Sequence, residues 1–188
     1  MAELLIGCGA RREKRIVWGG RKEWDGLVTL DINTDHKPDV VWDLTDTSLP
    51  FEDNTFDEIH AYEVLEHTGQ QGDWRFFFAQ WSDFWRVLKP GGVFIGTSPA
   101  YRSVWAWGDP GHTRIVQQEQ FVFLHQPSYT GQVGTTPMTD YRFVYQADFE
   151  PRALHTGVDT FEYVLEAIKP SRASLAVHNG ALSIGGPA

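Results

Sequence analysis

The sequence predicts an α/β fold with a mainly parallel central sheet, on three observations. Short apolar runs recur at strand length, one strongly periodic helix lies between two of them, and the last third carries two further strand-length runs with no long helix between them. The 188 residues fit one domain. Apolar types make up 41% and charged types 22%, which excludes a disordered or fibrous chain and leaves enough apolar side chain for a core.

Each element has its own signal. Leu4-Leu5-Ile6 is too short for a helix and breaks at Gly7-Cys8-Gly9, as a buried strand does on entering a tight turn. Leu27-Val28-Thr29-Leu30 reads as a second strand ending at Asp31, and Val40-Val41-Trp42 as a third ending at Asp43. Residues 56–62 form a fourth strand after the polar turn Glu52-Asp53-Asn54. Asp73 then caps a helix in which Phe77, Trp81, Phe84, Trp85 and Leu88 recur at helical spacing, until Lys89-Pro90-Gly91-Gly92 stops it. Val93-Phe94-Ile95-Gly96 is a fifth strand running out at Thr97-Ser98-Pro99, and residues 117–125 carry a short helix. Residues 141–149 and 160–168 predict an antiparallel pair, and Asn179-Gly180 predicts either a terminal hairpin over 175–184 or a flexible tail. The 14% of aromatic residues is expected to serve mainly as core.

Composition narrows the function classes. A formal charge of -9 opposes a phosphate backbone, although Arg11, Arg12, Lys14, Arg15, Arg21 and Lys22 cluster in one stretch. Cys8 is the only cysteine, so an internal disulfide and a Cys-rich zinc site are excluded, and no metal site is expected. No apolar run is long enough to span a membrane, and Met1 leads into Glu3 and Leu4 without a basic leader. The expectation is a soluble cytoplasmic protein that does not bind membranes.

In open α/β sheets, ligands bind beyond the carboxyl ends of the strands. Those ends carry Gly7-Cys8-Gly9, Asp31, Asp43, Glu63 and Ser98-Pro99. Glycines let backbone approach a ligand, and a carboxylate one strand on can accept from a ribose diol, which together suggest a nucleoside-containing ligand. A dinucleotide fingerprint would need a third glycine where Arg12 stands, and no phosphate-loop Lys-Ser or Lys-Thr follows.

With these pieces in order, the chain from Leu4 to about Glu119 resembles the class I S-adenosylmethionine-dependent methyltransferases. The resemblance rests on Leu4-Leu5-Ile6-Gly7-Cys8-Gly9, Val28-Thr29-Leu30-Asp31-Ile32, Trp42-Asp43-Leu44 with Leu49-Pro50-Phe51, and Phe56-Asp57-Glu58-Ile59 with Glu63-Val64-Leu65-Glu66-His67. The Leu88-Lys89-Pro90-Gly91-Gly92 turn completes it, and the run from Asp43 to His67 is similar to a small methyltransferase-11-type subgroup. It implies a Rossmann-like domain with a shortened first helix, because Ala10-Arg11-Arg12 and a polar stretch replace the usual glycine and full helix. It implies S-adenosyl-L-methionine as cofactor. Gly7, Cys8 and Gly9 would shape the loop beside its amino-acid part, and Asp31 would take the ribose hydroxyls. Ile32, Asp43 and Leu44 would meet the adenine, and Glu63 and His67 would lie near the methionine end.

On this division, residues 1–97 hold the cofactor, 98–169 form the acceptor pocket and final strands, and 170–188 are a hairpin or tail. Residues 101–114 hold Tyr101, Trp105, Trp107, Asp109, His112 and Arg114 without helical or strand periodicity, so they are the expected acceptor pocket. His112 is the candidate general base, since its ordinary pKa lies near working pH. Tyr101 and Arg114 complete the catalytic set, Arg114 as a partner for an anionic acceptor. The expected reaction is methyl transfer to a small molecule: a metabolite, sugar or nucleoside. A non-catalytic methyltransferase-like subunit and a nucleic-acid methyltransferase are the alternatives.

Overall fold

A computed structural model describes residues 1–173; the hairpin or tail expected over 175–184 lies outside them. Seven strands, β1 (Glu3–Ile6), β2 (Leu27–Asp31), β3 (Val40–Val41), β4 (Phe56–Tyr62), β5 (Leu88–Pro99), β6 (Phe149–Thr156) and β7 (Thr160–Ala167), form one sheet in the order β3-β2-β1-β4-β5-β7-β6. The first five pair in parallel, and β7 runs antiparallel between β5 and β6. Strand order reverses at β1, with β2 and β3 on one side and β4 and β5 on the other. The carboxyl ends of β1 and β4 therefore flank the crevice where such sheets bind ligands.

One face is closed by α1 (Trp74–Val87), whose N-terminus is held by the Asp73 carboxylate accepting from the Phe76 N–H at 3.1 Å. Its Phe78, Trp81, Phe84 and Val87 pack on Leu4, Ile6, Ile59 and Phe94 in the main core. Trp81, fully buried, meets the rings of Phe84, Phe94, Phe121 and Phe149. Much of the aromatic content is core, as expected.

The other face departs from the expected shortened helix: residues 7–26 contain no helix at all. Ile16, Trp18 and Trp24 lack a three-to-four-residue repeat, and the positive φ angles of Gly19 and Gly20 break any run between them. This strap instead lays Ile16, Trp18 and Trp24 over two small clusters, Leu5-Cys8-Tyr62 and Val93-Ile95-Val164. Beneath it, Lys14 Nζ lies 2.8 Å from both Glu3 and Glu58, and Glu58 lies 2.8 Å from His60 Nε2.

Three boundaries move. β5 starts directly after α1 and includes the Lys89-Pro90-Gly91-Gly92 turn, accommodated by a register shift opposite Phe56 and Glu58. The partner of β7 is residues 149–156, not 141–149; the latter stretch turns, and delivers Tyr145 and Phe149 to the core. β6 escapes a pattern reading because it is an edge strand with mostly exposed side chains and a bulge at Pro151. The expected helix over 117–125 is a 3-10 stretch, Gln118–Phe123, followed by α3 (Gln126–Gln132); the segment after β5 contains α2 (Val104–Gly108), too short to show a period. No helix of the described residues is long and apolar enough to cross a membrane.

Candidate active site

The turn after β1 is shaped by Gly7 at φ +57°, where a Cβ would come within 2.6 Å of Val64 Cγ2, so glycine is required by both backbone and space. At the end of β2, Asp31 is buried, and its two oxygens accept from the N–H groups of Gly9 and Asn33, each at 2.8 Å. Burial raises the Asp31 pKa, but those two N–H bonds and nearby His36 outweigh it and hold the carboxyl below its ordinary value. Asp31 thus ties the β1 loop to the β2 loop as a carboxylate.

These turns open a cavity of about 370 Å³ that brings together Gly7, Asp31, Ile32, Asp43, Leu44, Glu63 and His67. Ile32 is 63% exposed at its lip, an apolar surface with nothing covering it. Asp43 Oδ1 accepts from both the N–H and the hydroxyl of Thr45, each at 2.8 Å, so one of its oxygens also caps a turn. Glu63 sits at φ +58°, a conformation few non-glycine residues adopt, immediately past β4. Gly9 contributes its N–H to Asp31. Cys8 is the exception: its side chain is buried with Leu5 and Tyr62 on the strap side of the sheet and not with Leu4 and Ile6, whose parity it shares, because Gly7 at positive φ breaks the strand's alternation before it. That burial, first, and the nearby Asp31 charge push its thiol pKa up, so it is no nucleophile.

A second cavity, of about 400 Å³, is lined by Gln71, Tyr101, Trp107, His112, Arg114 and Gln120, among others. It is built by docking residues 109–115 alongside residues 65–71. The Thr113 N–H donates to the Glu66 carbonyl at 2.9 Å and the Gln71 N–H donates to the Thr113 carbonyl at 3.0 Å. The cavities meet at two imidazoles: His67 of the first and His112 of the second lie edge to face, ring centres 4.6 Å apart. Tyr101 lies at the rim, 40% exposed, with Arg102 over its ring.

Arg114 has work inside the protein, which its sequence position does not reveal. Its guanidinium is buried and donates to the Leu65 carbonyl, Thr68 Oγ1 and Gln80 Oε1; burial brings its pKa down to about 10. The group expected to meet an anionic acceptor is a brace between α1 and the β4 loop. Glu66, which sequence reasoning left without a role, lies at the junction, fully buried, with its carboxyl pushed up to about 8 by burial and, secondarily, by the neighbouring Glu63 charge. The signal was present, since Glu66 adjoins His67, but only the fold shows which way it turns.

Residues 25–96 match the family model described as a methyltransferase domain. Among solved structures, the chain is similar to a SAM-dependent methyltransferase from Archaeoglobus fulgidus, at 17% identity over 88% of this chain and 86% of that one, with a TM-score of 0.54. It is also similar to a SAM-dependent methyltransferase from Aquifex aeolicus, at 13% identity over 89% and 82% of the two chains, with a TM-score of 0.53. A search of the curated proteins found no significant match. The chain thus shares its fold with these solved structures, and residues 25–96 of it match the methyltransferase domain.

Proposed function

We propose that the protein transfers a methyl group from S-adenosyl-L-methionine to a small-molecule acceptor held in the second cavity. The observation that carries this reading is the common wall: two cavities at the carboxyl ends of parallel strands, separated by the His67 and His112 rings. The first cavity suits the cofactor. Gly7 brings bare backbone to the cavity wall, which suits the cofactor's amino-acid part, and the uncovered Ile32 suits the adenine. Asp31 Oδ1 has one acceptor direction left after its bond from the Asn33 N–H, and Oδ2, between the Gly9 N–H and His36 Nδ1 at 3.2 Å, becomes available to a second ribose hydroxyl if His36 turns away. When bound, this cofactor supplies a methyl already attached to a good leaving group.

The chain's own residues then have two tasks. Holding the acceptor in line supplies much of the acceleration, and Tyr101, Trp107, Gln71 and Gln120 offer the stacking and hydrogen-bonding groups for it. A hydroxyl acceptor must also lose its proton. His112 is placed for that: Asp109 lies 4.0 Å from Nε2 and favours the proton there, leaving the Nδ1 lone pair.

Calorimetry with S-adenosylhomocysteine tests the reading. Binding in the micromolar range, roughly -8 kcal/mol, is expected. Asp31→Ala should weaken it at least tenfold, about 1.4 kcal/mol; an unchanged affinity in the folded variant would remove the ribose assignment.

The basic stretch gives little support to a nucleic-acid acceptor, because most of it is spent internally. Lys14 is buried in ion pairs, Arg12 donates to the His36 and Lys37 carbonyls, Arg15 lies over the Tyr62 ring, and Arg21 pairs with Asp25. With the net charge of -9, no tight duplex DNA binding is expected at physiological salt. A gel shift at sub-micromolar protein that collapses on adding salt would reverse this.

A further inference from the structure

Where the two cavities meet, Glu66, His67 and His112 each offer one ligand atom, and these atoms lie within 4.8 Å of one another. Hydrogen bonds sort donors from acceptors at His67 and Glu66, and a carboxylate stands on one side of the His112 ring. His67 Nδ1 is 3.1 Å from the Gly111 carbonyl, which only an N–H can satisfy, so the free lone pair of that ring is on Nε2. His112 Nε2 faces the Asp109 carboxylate, and its Nδ1 is buried without a partner. Glu66 Oε2 accepts from the Ser98 hydroxyl at 3.1 Å, while Oε1 has no partner in a residue only 2% exposed.

Leaving a buried polar atom unpaired costs about 1–3 kcal/mol. Glu66 Oε1 and His112 Nδ1 lie buried without a partner, and a cation that displaces the Glu66 carboxyl proton would satisfy both together with the open lone pair of His67. Arg114 does not fill the role, since its hydrogen bonds go to Leu65, Thr68 and Gln80.

We propose that Glu66, His67 and His112 bind a divalent transition cation at the junction of the two cavities. Two imidazoles and a carboxylate suit Zn²⁺, Co²⁺ or Mn²⁺, whereas Mg²⁺ and Ca²⁺ favour all-oxygen sets. The outer contacts are those of a metal site: a backbone carbonyl fixes the His67 tautomer, a carboxylate faces the far nitrogen of His112, and a hydroxyl holds the second oxygen of Glu66. Three protein ligands leave a coordination position open. Resting on the methyl-transfer reading, that position selects acceptors carrying a hydroxyl, whose oxygen the cation polarises.

The test is titration of the full chain, stripped of metal, with Co²⁺ alone, read by visible absorption, and with Zn²⁺ or Mn²⁺ by calorimetry. The expected result is one site, weakened at least about tenfold by Glu66→Gln and by His67→Ala. His67 is exposed, so its variant keeps the test open should Glu66→Gln fail to fold. Absence of binding, or binding that both folded variants retain, overturns the proposal. S-adenosylhomocysteine affinity of the same metal-free protein separates the two ideas. If it binds while the cations do not, the cation site alone fails. If the cations bind and it does not, the methyl-transfer reading fails and the metal site stands.

Discussion

Replacing His112 with alanine is expected to lower turnover on the true acceptor by about 100-fold or more while leaving S-adenosylhomocysteine affinity nearly unchanged. The ring lines the second cavity and not the first, so its removal takes nothing directly from the cofactor side. Its Nδ1 lone pair has no partner within the protein, and Asp109 lies on the far side of the ring, an arrangement suited to receiving a proton or ligating a cation. Either role gives the same loss of rate. They part on chelation: a base works without metal, whereas a ligand's contribution disappears when the cation is removed. Because the side chain is only 8% exposed, thermal unfolding must accompany the kinetics. A folded His112→Ala protein with wild-type turnover would leave alignment as the main source of rate.

Lys14→Met is expected to destabilise the fold by about 3–5 kcal/mol, because it leaves two buried carboxylates without their counter-charge. Lys14, Glu3 and Glu58 have side chains 1%, 0% and 5% exposed, so water cannot replace the lost partner. Replacing all three, as Glu3→Gln, Lys14→Met and Glu58→Gln, should recover much of the loss, since exchanging a whole buried ionic group for neutral side chains is often neutral or stabilising. Chemical denaturation of the two variants measures both effects. A Lys14→Met protein as stable as wild type would show that the strap contributes little.

The same cluster sets an acid limit. Burial raises the Glu58 pKa, but hydrogen bonds and charge from His60 and Lys14 overcome it and bring it down to about 2. A carboxyl held below its unfolded value stabilises the fold above that value, and the contribution is lost as pH falls through the folded pKa. Glu58 should therefore support stability in full above about pH 4.5 and lose its contribution on acidification toward about pH 2.

Legibility in the sequence followed the range of the interactions involved. β4 was readable to the residue, and β1, β2 and α1 to within a residue, because a buried strand or an amphipathic helix writes its environment into local spacing. β6 was not, because an exposed edge strand is held by its pairing with β7, and nothing in Glu150-Pro151-Arg152 announces a partner. Residues 10–26 read as a shortened helix or an irregular crossover, since parallel neighbours need a connection of about that length, and the structure has the irregular form. What holds it is the ion cluster under Lys14, whose carboxylates come from strands separated from it and from each other in sequence.

The cofactor side divides in the same way. Gly7, Asp31, Ile32, Asp43, Leu44, Glu63 and His67 could be named from the sequence because each stands at or near a strand end, and parallel strands bring such ends to one edge of the sheet. The sequence by itself thus determined the fold class and the sheet edge at which these residues gather. Only the tertiary structure decided the face on which Cys8 lies, the inward use of Arg114, and the meeting of Glu66 and His67 with His112 across more than forty residues. Those outcomes depend on backbone hydrogen bonds between the 65–71 and 109–115 segments and on burial that leaves particular atoms unpaired. Neither is encoded in local spacing, because both come into being only when distant segments close on one another.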